Sequence, residues 1–179
     1  MTKTALLIID MINDFNFDAG EALAEHTMKI IDPILQLKKN FNEKDLPVIY
    51  INDHYNLWQA DFEKIMDFCT NEKSEEIINK ISPEKNKDYF LIKPKHSAFY
   101  GTALNTLLQQ LNVDTLILTG IAGNICVLFT ANDAYMREYD LIIPRDCIAS
   151  NNDEDNKYAL TMMKNVLSAE TKPAKELGL

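Results

Sequence analysis

The stretch Asp114-Thr-Leu-Ile-Leu-Thr-Gly120, followed by Ile121-Ala-Gly-Asn-Ile125 and Cys126, is the most informative part of this chain. Its first half is an apolar run of strand length, and residues 127–139 follow a helical pattern. Cys126 is therefore expected on a strand-to-helix turn. There, the free N–H groups and the positive end of the helix dipole favour a thiolate over a thiol. A free cysteine is more commonly a small buried apolar residue, so its partners decide whether it is catalytic.

Apolar runs alternate with helical patterns along the rest of the chain. The predicted strands cover residues 5–10, 47–52, 89–92, 115–119 and 141–144. They are almost continuously apolar, which is typical of strands buried on both faces. Helical patterns cover residues 21–44, 104–111, 127–139 and 158–166, and Pro33 predicts either a kink or the start of a second segment. This alternation predicts a three-layer α/β/α fold with a doubly wound, mostly parallel sheet.

Residues 52–88 interrupt the alternation. They contain several aromatic side chains and two short charged helical stretches, around 60–67 and 73–81. We interpret this region as an insertion over the edge of the sheet that shapes a pocket or an oligomer contact. The chain has no repeat or linker, and 179 residues suffice for one full-sized core. We therefore expect a single domain spanning residues 1–179.

Composition restricts the class of protein. The hydrophobic share of 46% and charged share of 25% are those of an ordinary soluble globular protein. The net charge of -9 disfavours a nucleic-acid partner. No apolar stretch reaches the roughly 20 residues that span a bilayer, and Asp10 comes too early for a signal peptide. Cys69, Cys126 and Cys147 have neither metal-type nor redox-type spacing, and their odd number argues against a disulfide framework. We expect a cytoplasmic protein.

Three reactive side chains follow predicted strands. Asp10 ends the first strand, Lys93 follows the third, and Cys126 lies just past the fourth. Ligands bind beyond the carboxyl ends of strands in open parallel sheets. A carboxylate can take the proton of a thiol, and a nearby ammonium stabilises the thiolate. Considered alone, Asp10 would be interpreted as a residue that caps a turn, and Lys93 as a charged side chain exposed to solvent. Together with Cys126 they predict a catalytic site.

Three separated motifs resemble one family. They are Leu6-Leu-Ile-Ile-Asp-Met-Ile-Asn-Asp-Phe15, Ile92-Lys-Pro-Lys-His-Ser-Ala-Phe-Tyr-Gly-Thr102, and Thr119-Gly-Ile-Ala-Gly-Asn-Ile-Cys-Val127 with Thr130-Ala-Asn-Asp-Ala134. In this order they resemble the isochorismatase-like cysteine hydrolases, a superfamily that includes nicotinamidases and N-carbamoylsarcosine amidohydrolases. The resemblance covers essentially the whole chain. It is specific for the superfamily and not for any one substrate.

The resemblance implies a catalytic triad of Asp10, Lys93 and Cys126. It also implies a cis peptide bond between Ile121 and Ala122, and an oxyanion hole formed by the backbone N–H groups of Ala122 and Cys126. The implied reaction is hydrolysis of an amide or carbamoyl C–N bond of a small molecule through a thioester. Asp10 would carry the proton in both halves of this reaction, and no cofactor would be required.

Several apolar residues near the motifs are candidates to line the substrate pocket. They suggest a small, partly planar substrate, although aromatic residues in these places can also belong to the core. The predicted substrate-binding residues are Phe15, Tyr55, Trp58, Phe99, Tyr100 and Ile121. We expect a homo-oligomer without a nucleic-acid or membrane partner.

Two features depart from the family pattern. Ile12 stands where the family commonly has glutamine two residues after the aspartate. Nicotinamidases bind a metal through an Asp-x-His pair and a further histidine, whereas here Asp53 and His54 are adjacent and the next histidine is His96. Two side chains fall short of a stable metal site, so we expect no metal.

Alternative functions stay open at this point. One is a nicotinamidase proper with a bound metal near Asp53 and His54. Another is a non-catalytic, small-molecule-binding member of the fold, and a third is a redox sensor, for which Cys126 lacks a resolving cysteine nearby in sequence. A true isochorismatase cleaves a vinyl ether and lacks the cysteine nucleophile, so Cys126 argues against that chemistry.

Overall fold

A parallel sheet with helices on both faces forms the centre of the protein. The computed structural model describes residues 3–178, so residues 1, 2 and 179 of the predicted domain lie outside the described residues. The strands are β1 (Thr4–Ile9), β2 (Val48–Asp53), β3 (Tyr89–Lys93), β4 (Thr115–Ile121), β5 (Asp140–Ile142) and β6 (Ile148–Ala149). The helices are α1 (Gly20–Glu43), α2 (Phe62–Cys69), α3 (Glu75–Ile81), α4 (Leu104–Gln110), α5 (Leu128–Tyr135) and α6 (Asp153–Val166). A π-helical turn, Gly123–Val127, runs directly into α5, and a short 3₁₀ turn, Ala174–Glu176, follows α6.

The strand order places the end of β1 beside the end of β4. The order is β3-β2-β1-β4-β5, with β6 pairing further along β4, and every one of these pairings is parallel. The chain runs outward from β1 to β3 and then returns to the other side of β1, which makes the β1–β4 boundary a topological switch point. Ligand sites of doubly wound sheets lie at such points, beyond the carboxyl ends of the strands.

Both faces of the sheet are buried, as the continuous apolar runs predict. In β1, Ala5 and Leu7 pack into a core formed with α4, α5 and α6. Leu6 and Ile8 point to the opposite face, into a core formed with α1 and α3. Full burial of one such large aliphatic side chain contributes about 1.5–3 kcal/mol. The double burial therefore fixes β1, and the residue that follows it, firmly in the centre of the sheet.

The predicted elements are confirmed with small shifts at their ends. Pro33 lies inside one continuous helix, α1, so the alternative of a second segment starting at Pro33 is wrong. The helical pattern of residues 127–139 corresponds to α5 preceded by a π-helical turn. β6 was not predicted, because two residues are too few to produce a periodic pattern.

The insertion lies against the edge of the sheet. Its two helices, α2 and α3, contribute Ile65, Cys69 and Ile78 to a small apolar cluster with Ile12, and Ile92 of the edge strand β3 packs against this cluster. The side chain of Ile12 is fully buried and takes part in packing, and only its backbone makes polar contacts, with the Asn52 side chain and the Tyr55 hydroxyl. Within residues 3–178, none of the helices is long and apolar enough to cross a membrane.

Candidate active site

Asp10 leaves the first strand with its carboxylate held by the neighbouring strand. Its backbone N–H donates to the Ile51 carbonyl at 2.9 Å, and its φ of +52° marks the point where the chain turns away from the sheet. Its Oδ1 accepts a hydrogen bond from the Asp53 N–H at 2.9 Å. The residue is only 5% exposed, so this carboxylate is oriented by the protein rather than by water.

Lys93 links the carboxylate to the thiol. It ends β3, and its ammonium reaches across β2 to the Oδ2 of Asp10 at 2.8 Å. The same Nζ lies 3.1 Å from the Lys95 carbonyl and 3.6 Å from the Sγ of Cys126. An ammonium has three N–H donors, and these three contacts use all of them. Lys93 is 2% exposed, so its position is set entirely by these partners.

The charge state of Lys93 follows from its partners. Burial by itself lowers the pKa of Lys93, but the negative charge of Asp10 and the adjacent Cys126 outweigh burial, so the pKa is raised overall. Lys93 is therefore an ammonium at neutral pH.

Cys126 lies on the turn after β4, where the chain approaches β1 closely. Gly120 has a φ of +109°, and a Cβ there would collide with the backbone of Ile9, so this approach requires glycine. The peptide bond between Ile121 and Ala122 is cis, as the family resemblance implies. The π-helical turn then brings Cys126 to the edge where Asp10 and Lys93 lie.

A partly buried polar network holds this turn against α1 and α6. The Ser150 hydroxyl, which is 1% exposed as a residue, accepts from the Asn124 N–H at 3.1 Å and donates to the Asn156 Oδ1 at 2.8 Å. His26 of α1 hydrogen-bonds through Nδ1 with the Ser150 carbonyl at 2.8 Å. A Cβ at Gly123 would collide with Asn156, so the turn also packs closely on α6. These contacts hold the turn that carries Cys126 in place.

The resting thiol differs from the expected thiolate. Burial raises the pKa of Cys126, the negative charge of Asp10 raises it further, and Lys93 lowers it by less. The influence of Lys93 has the predicted direction, but desolvation and the neighbouring carboxylate together outweigh it. At neutral pH the site therefore contains a neutral thiol beside a carboxylate–ammonium pair, and the thiol must pass its proton to a base as it reacts.

His96 is a fourth polar group at the thiol. Its Nδ1 lies 3.9 Å from the Cys126 Sγ, and its ring contacts Phe129 of α5 with centroids 5.4 Å apart. His96 is exposed, so it lies on the solvent side of the thiol, whereas Asp10 and Lys93 lie on the buried side. No sequence pattern assigns this contact, because residues 94–97 form neither a helix nor a strand whose period would orient the side chain.

Three of the predicted pocket residues are packed in the core. Phe15 and Ile121 have no exposed surface and lie in the core on the α1 face. Phe99 lies in the core on the other face, where its ring contacts Tyr139 and the guanidinium of Arg137 lies 4.8 Å from its centroid. In this conformation Phe15 and Ile121 present no surface to a ligand.

The other three predicted pocket residues reach the surface. Trp58 is 64% exposed and stacks on His54 with ring centroids 3.9 Å apart. Tyr100 is 62% exposed, and Tyr55 is partly exposed with its hydroxyl 3.4 Å from the Ile12 carbonyl. A role for these three side chains in substrate binding stays a prediction.

Comparison with known proteins identifies the family. The model of the isochorismatase domain matches residues 4–171. The chain belongs to the isochorismatase family. The Bacillus subtilis protein named uncharacterized isochorismatase family protein YaaI is 67% identical to it over 166 residues, which cover 93% of this chain and 91% of the relative.

Two solved structures resemble this isochorismatase-family protein over nearly their whole lengths. N-carbamoylsarcosine amidase from Thermoplasma acidophilum is 30% identical with a TM-score of 0.77, and the match covers 99% of this chain and 100% of that one. The nicotinamidase SaPncA from Staphylococcus aureus is 28% identical with a TM-score of 0.74, covering 96% and 98%. The family and its amidase relatives make this protein a hydrolase with the predicted α/β fold.

The loop after β2 does not fit the metal that nicotinamidases bind. The Asp53 Oδ1 accepts from the Tyr55 N–H at 2.8 Å, and the His54 Nδ1 accepts from the Asn56 N–H at 2.9 Å. Across residues 3–178, no group of three or more His, Cys, Asp or Glu side chains is arranged to bind a metal ion. One oxygen of Asp53 and the Nδ1 of His54 therefore hold local turns, and no third side chain joins them as a ligand within the described residues.

Cys126 is expected to be alkylated faster than the other two thiols of this isochorismatase-family member. Burial raises the pKa of Cys69 to about 12 and also raises the pKa of Cys147, and both residues are fully buried. The pKa of Cys126 is raised as well, but its side chain is partly exposed and has an ammonium beside it. Time-resolved peptide mapping after iodoacetamide treatment at neutral pH measures the three rates. Equal or faster labelling of Cys69 or Cys147 would contradict the assignment of Cys126 as the reactive thiol.

Proposed function

We propose that this hydrolase is a cysteine amidohydrolase, which cleaves an amide or carbamoyl C–N bond of a small molecule through a thioester intermediate. The observation that carries the proposal is the position of the Lys93 ammonium, 2.8 Å from the Asp10 carboxylate and 3.6 Å from the Cys126 sulfur. A nucleophile, a proton acceptor and a fixed positive charge at one sheet edge are the parts that acyl transfer through cysteine requires. The amidase relatives support the C–N bond as the target.

In the first half of the proposed reaction, Asp10 accepts the thiol proton of Cys126 while the sulfur attacks the substrate carbonyl carbon. Lys93 stabilises the negative charge on sulfur, which offsets the burial that disfavours a thiolate. The backbone N–H groups of Ala122 and Cys126 are the proposed oxyanion hole, and such preorganised donors are usually the largest electrostatic contribution to acyl transfer.

The proton on Asp10 then moves to the departing nitrogen. The C–N bond breaks, the amine or ammonia leaves, and the acyl group stays on Cys126 as a thioester. Water hydrolyses this thioester and returns the thiol. Each of these steps uses only side chains, backbone groups and water, so the proposal includes no cofactor.

A turnover screen tests the proposed function. Small amides, ureas and carbamoyl compounds are incubated with the protein, and release of ammonia or amine is measured against the Cys126→Ala variant. We expect at least one compound class to be hydrolysed by the wild type and not by the variant. Equal turnover by both proteins would exclude Cys126 as the nucleophile. A folded wild type that turns over none of these classes would favour the non-catalytic, small-molecule-binding alternative.

The nicotinamidase alternative predicts a bound metal, and the proposed general amidohydrolase does not. We expect elemental analysis of protein purified without chelator to find no stoichiometric transition metal, because Asp53 and His54 supply only two side chains and no third ligand accompanies them within residues 3–178. The His54→Ala variant is the control for adventitious metal. A stoichiometric metal in the wild type that disappears in this variant would make nicotinamidase the leading assignment.

Two further expectations belong to this proposal. A homo-oligomer is predicted, and light scattering of the purified protein measures its mass in solution. A cytoplasmic location is predicted from the three unpaired cysteines, since cytosolic thiols are kept reduced.

A further inference from the structure

His96 lies on the solvent side of the Cys126 sulfur. Its Nδ1 is 3.9 Å from the Cys126 sulfur, which is close enough for a water molecule to lie between the ring and an acyl carbon bonded to that sulfur. The ring rests against Phe129, which limits its freedom on the outer side. Because His96 is exposed, its other face is open to bulk water, from which the hydrolytic water comes.

Asp10 and Lys93 are buried and lie on the opposite side of the thiol from bulk water. Oδ1 of Asp10 accepts from the Asp53 N–H and Oδ2 pairs with Lys93, so both oxygens are held by groups of the protein. The side chain of Asp10 is 7% exposed, whereas His96 is open to bulk water. Lys93 has all three donors engaged and has no lone pair as an ammonium.

We propose that His96 is a further catalytic residue, the general base that activates water during hydrolysis of the thioester. In its neutral form with the N–H on Nε2, Nδ1 takes one proton from water as the oxygen attacks the thioester carbon. The C–S bond then breaks, and the sulfur leaves as a thiolate next to Lys93. The imidazolium returns its proton to this thiolate, so the products are a carboxylic acid and the original thiol.

This assignment divides the proton transfers between two residues. Asp10 serves the step in which the thiol attacks, and His96 serves the step in which water attacks, which differs from the expectation that Asp10 serves both. The inference rests on the proposed function, because it requires Cys126 to form a thioester. Its test must therefore separate formation of the acyl-enzyme from its breakdown.

The probe is p-nitrophenyl acetate, whose leaving group needs no proton and is coloured. Acylation of Cys126 appears as a fast burst of p-nitrophenolate, and the slower steady rate reports hydrolysis of the acetyl-thioester. For His96→Gln and His96→Asn we expect the burst to be retained and the steady rate to fall by about 100-fold, the lower range for loss of a general base. Mass spectrometry should then find acetyl-Cys126 accumulating. Imidazole added to His96→Ala should restore part of the steady rate, which a purely structural role would not produce.

The control variant is Lys39→Gln, which removes an exposed basic side chain of α1 and should leave both phases unchanged. A steady rate in the His96 variants equal to that of the wild type would overturn the inference and leave the proposed nucleophile intact. A burst slowed as much as the steady rate would also overturn it, because His96 would then act on the thiol itself. Release of p-nitrophenolate by the wild type that is unchanged in Cys126→Ala would overturn the proposed function as well.

Discussion

Asp10→Asn should lower turnover by about 10³–10⁴-fold while leaving Cys126 open to alkylation. Asparagine keeps the size of the side chain and an oxygen that accepts from the Asp53 N–H, but it cannot take the thiol proton. The charge of Asp10 raises the pKa of Cys126, so its removal lowers that pKa and increases the thiolate fraction at any given pH. Alkylation should therefore become faster as catalysis fails. The measurements are kcat on a compound found in the turnover screen and the rate of reaction with iodoacetamide as a function of pH.

The two readouts separate a chemical role from damage to the site. If Asp10→Asn lost both turnover and alkylation, the substitution would have displaced Cys126. The loss of turnover would then count against Asp10 as the group that carries the proton. If turnover stayed within about tenfold of the wild type, Asp10 would be excluded as the base of the first step. Loss of a general acid–base group ordinarily lowers the rate by more than this. Asp10→Glu provides a matched control, since it keeps the charge and moves the carboxylate.

Lys93→Met should destabilise the protein by about 3–5 kcal/mol, because it leaves the Asp10 carboxylate buried without its cation. Methionine has a similar length, so the lost charge and not a cavity dominates the result. The same substitution should raise the pKa of Cys126 further, since Lys93 lowers it in the wild type, and should move the alkylation profile to higher pH. Urea denaturation measures the free energy of unfolding, and the pH dependence of the reaction with iodoacetamide measures the shift in the pKa of the Cys126 thiol.

The double variant Asp10→Asn/Lys93→Met is the decisive comparison. It removes both charges, so most of the stability lost in Lys93→Met should return, although turnover should not. Additive losses of stability in the double variant would show that the two charges do not stabilise each other. An alkylation profile of Lys93→Met identical to that of the wild type would exclude Lys93 from any role at the thiol.

The secondary-structure elements and the three candidate catalytic side chains were predicted from local sequence patterns. Residues 115–119, which form most of β4, could be recognised as a buried strand because apolar residues on both faces leave a pattern that needs no knowledge of the fold. Asp10, Lys93 and Cys126 could be grouped because the carboxyl ends of parallel strands meet at one edge. The two-residue strand β6 and the π-helical turn at Gly123–Val127 produce no such periodic signal. Both depend on contacts with distant parts of the chain.

The sequence by itself determined the fold class and the family, and it predicted Asp10, Lys93 and Cys126 as the catalytic residues, because each of these rests on short apolar runs and motifs. Tertiary structure alone decided how these residues act on one another. The strand order brings Lys93 across β2 to within 2.8 Å of Asp10, and burial reverses the expected tendency of Cys126 to ionise. It also brings His96 to the solvent side of the sulfur. Distances and desolvation arise from packing among segments far apart in the chain, and no local pattern carries them.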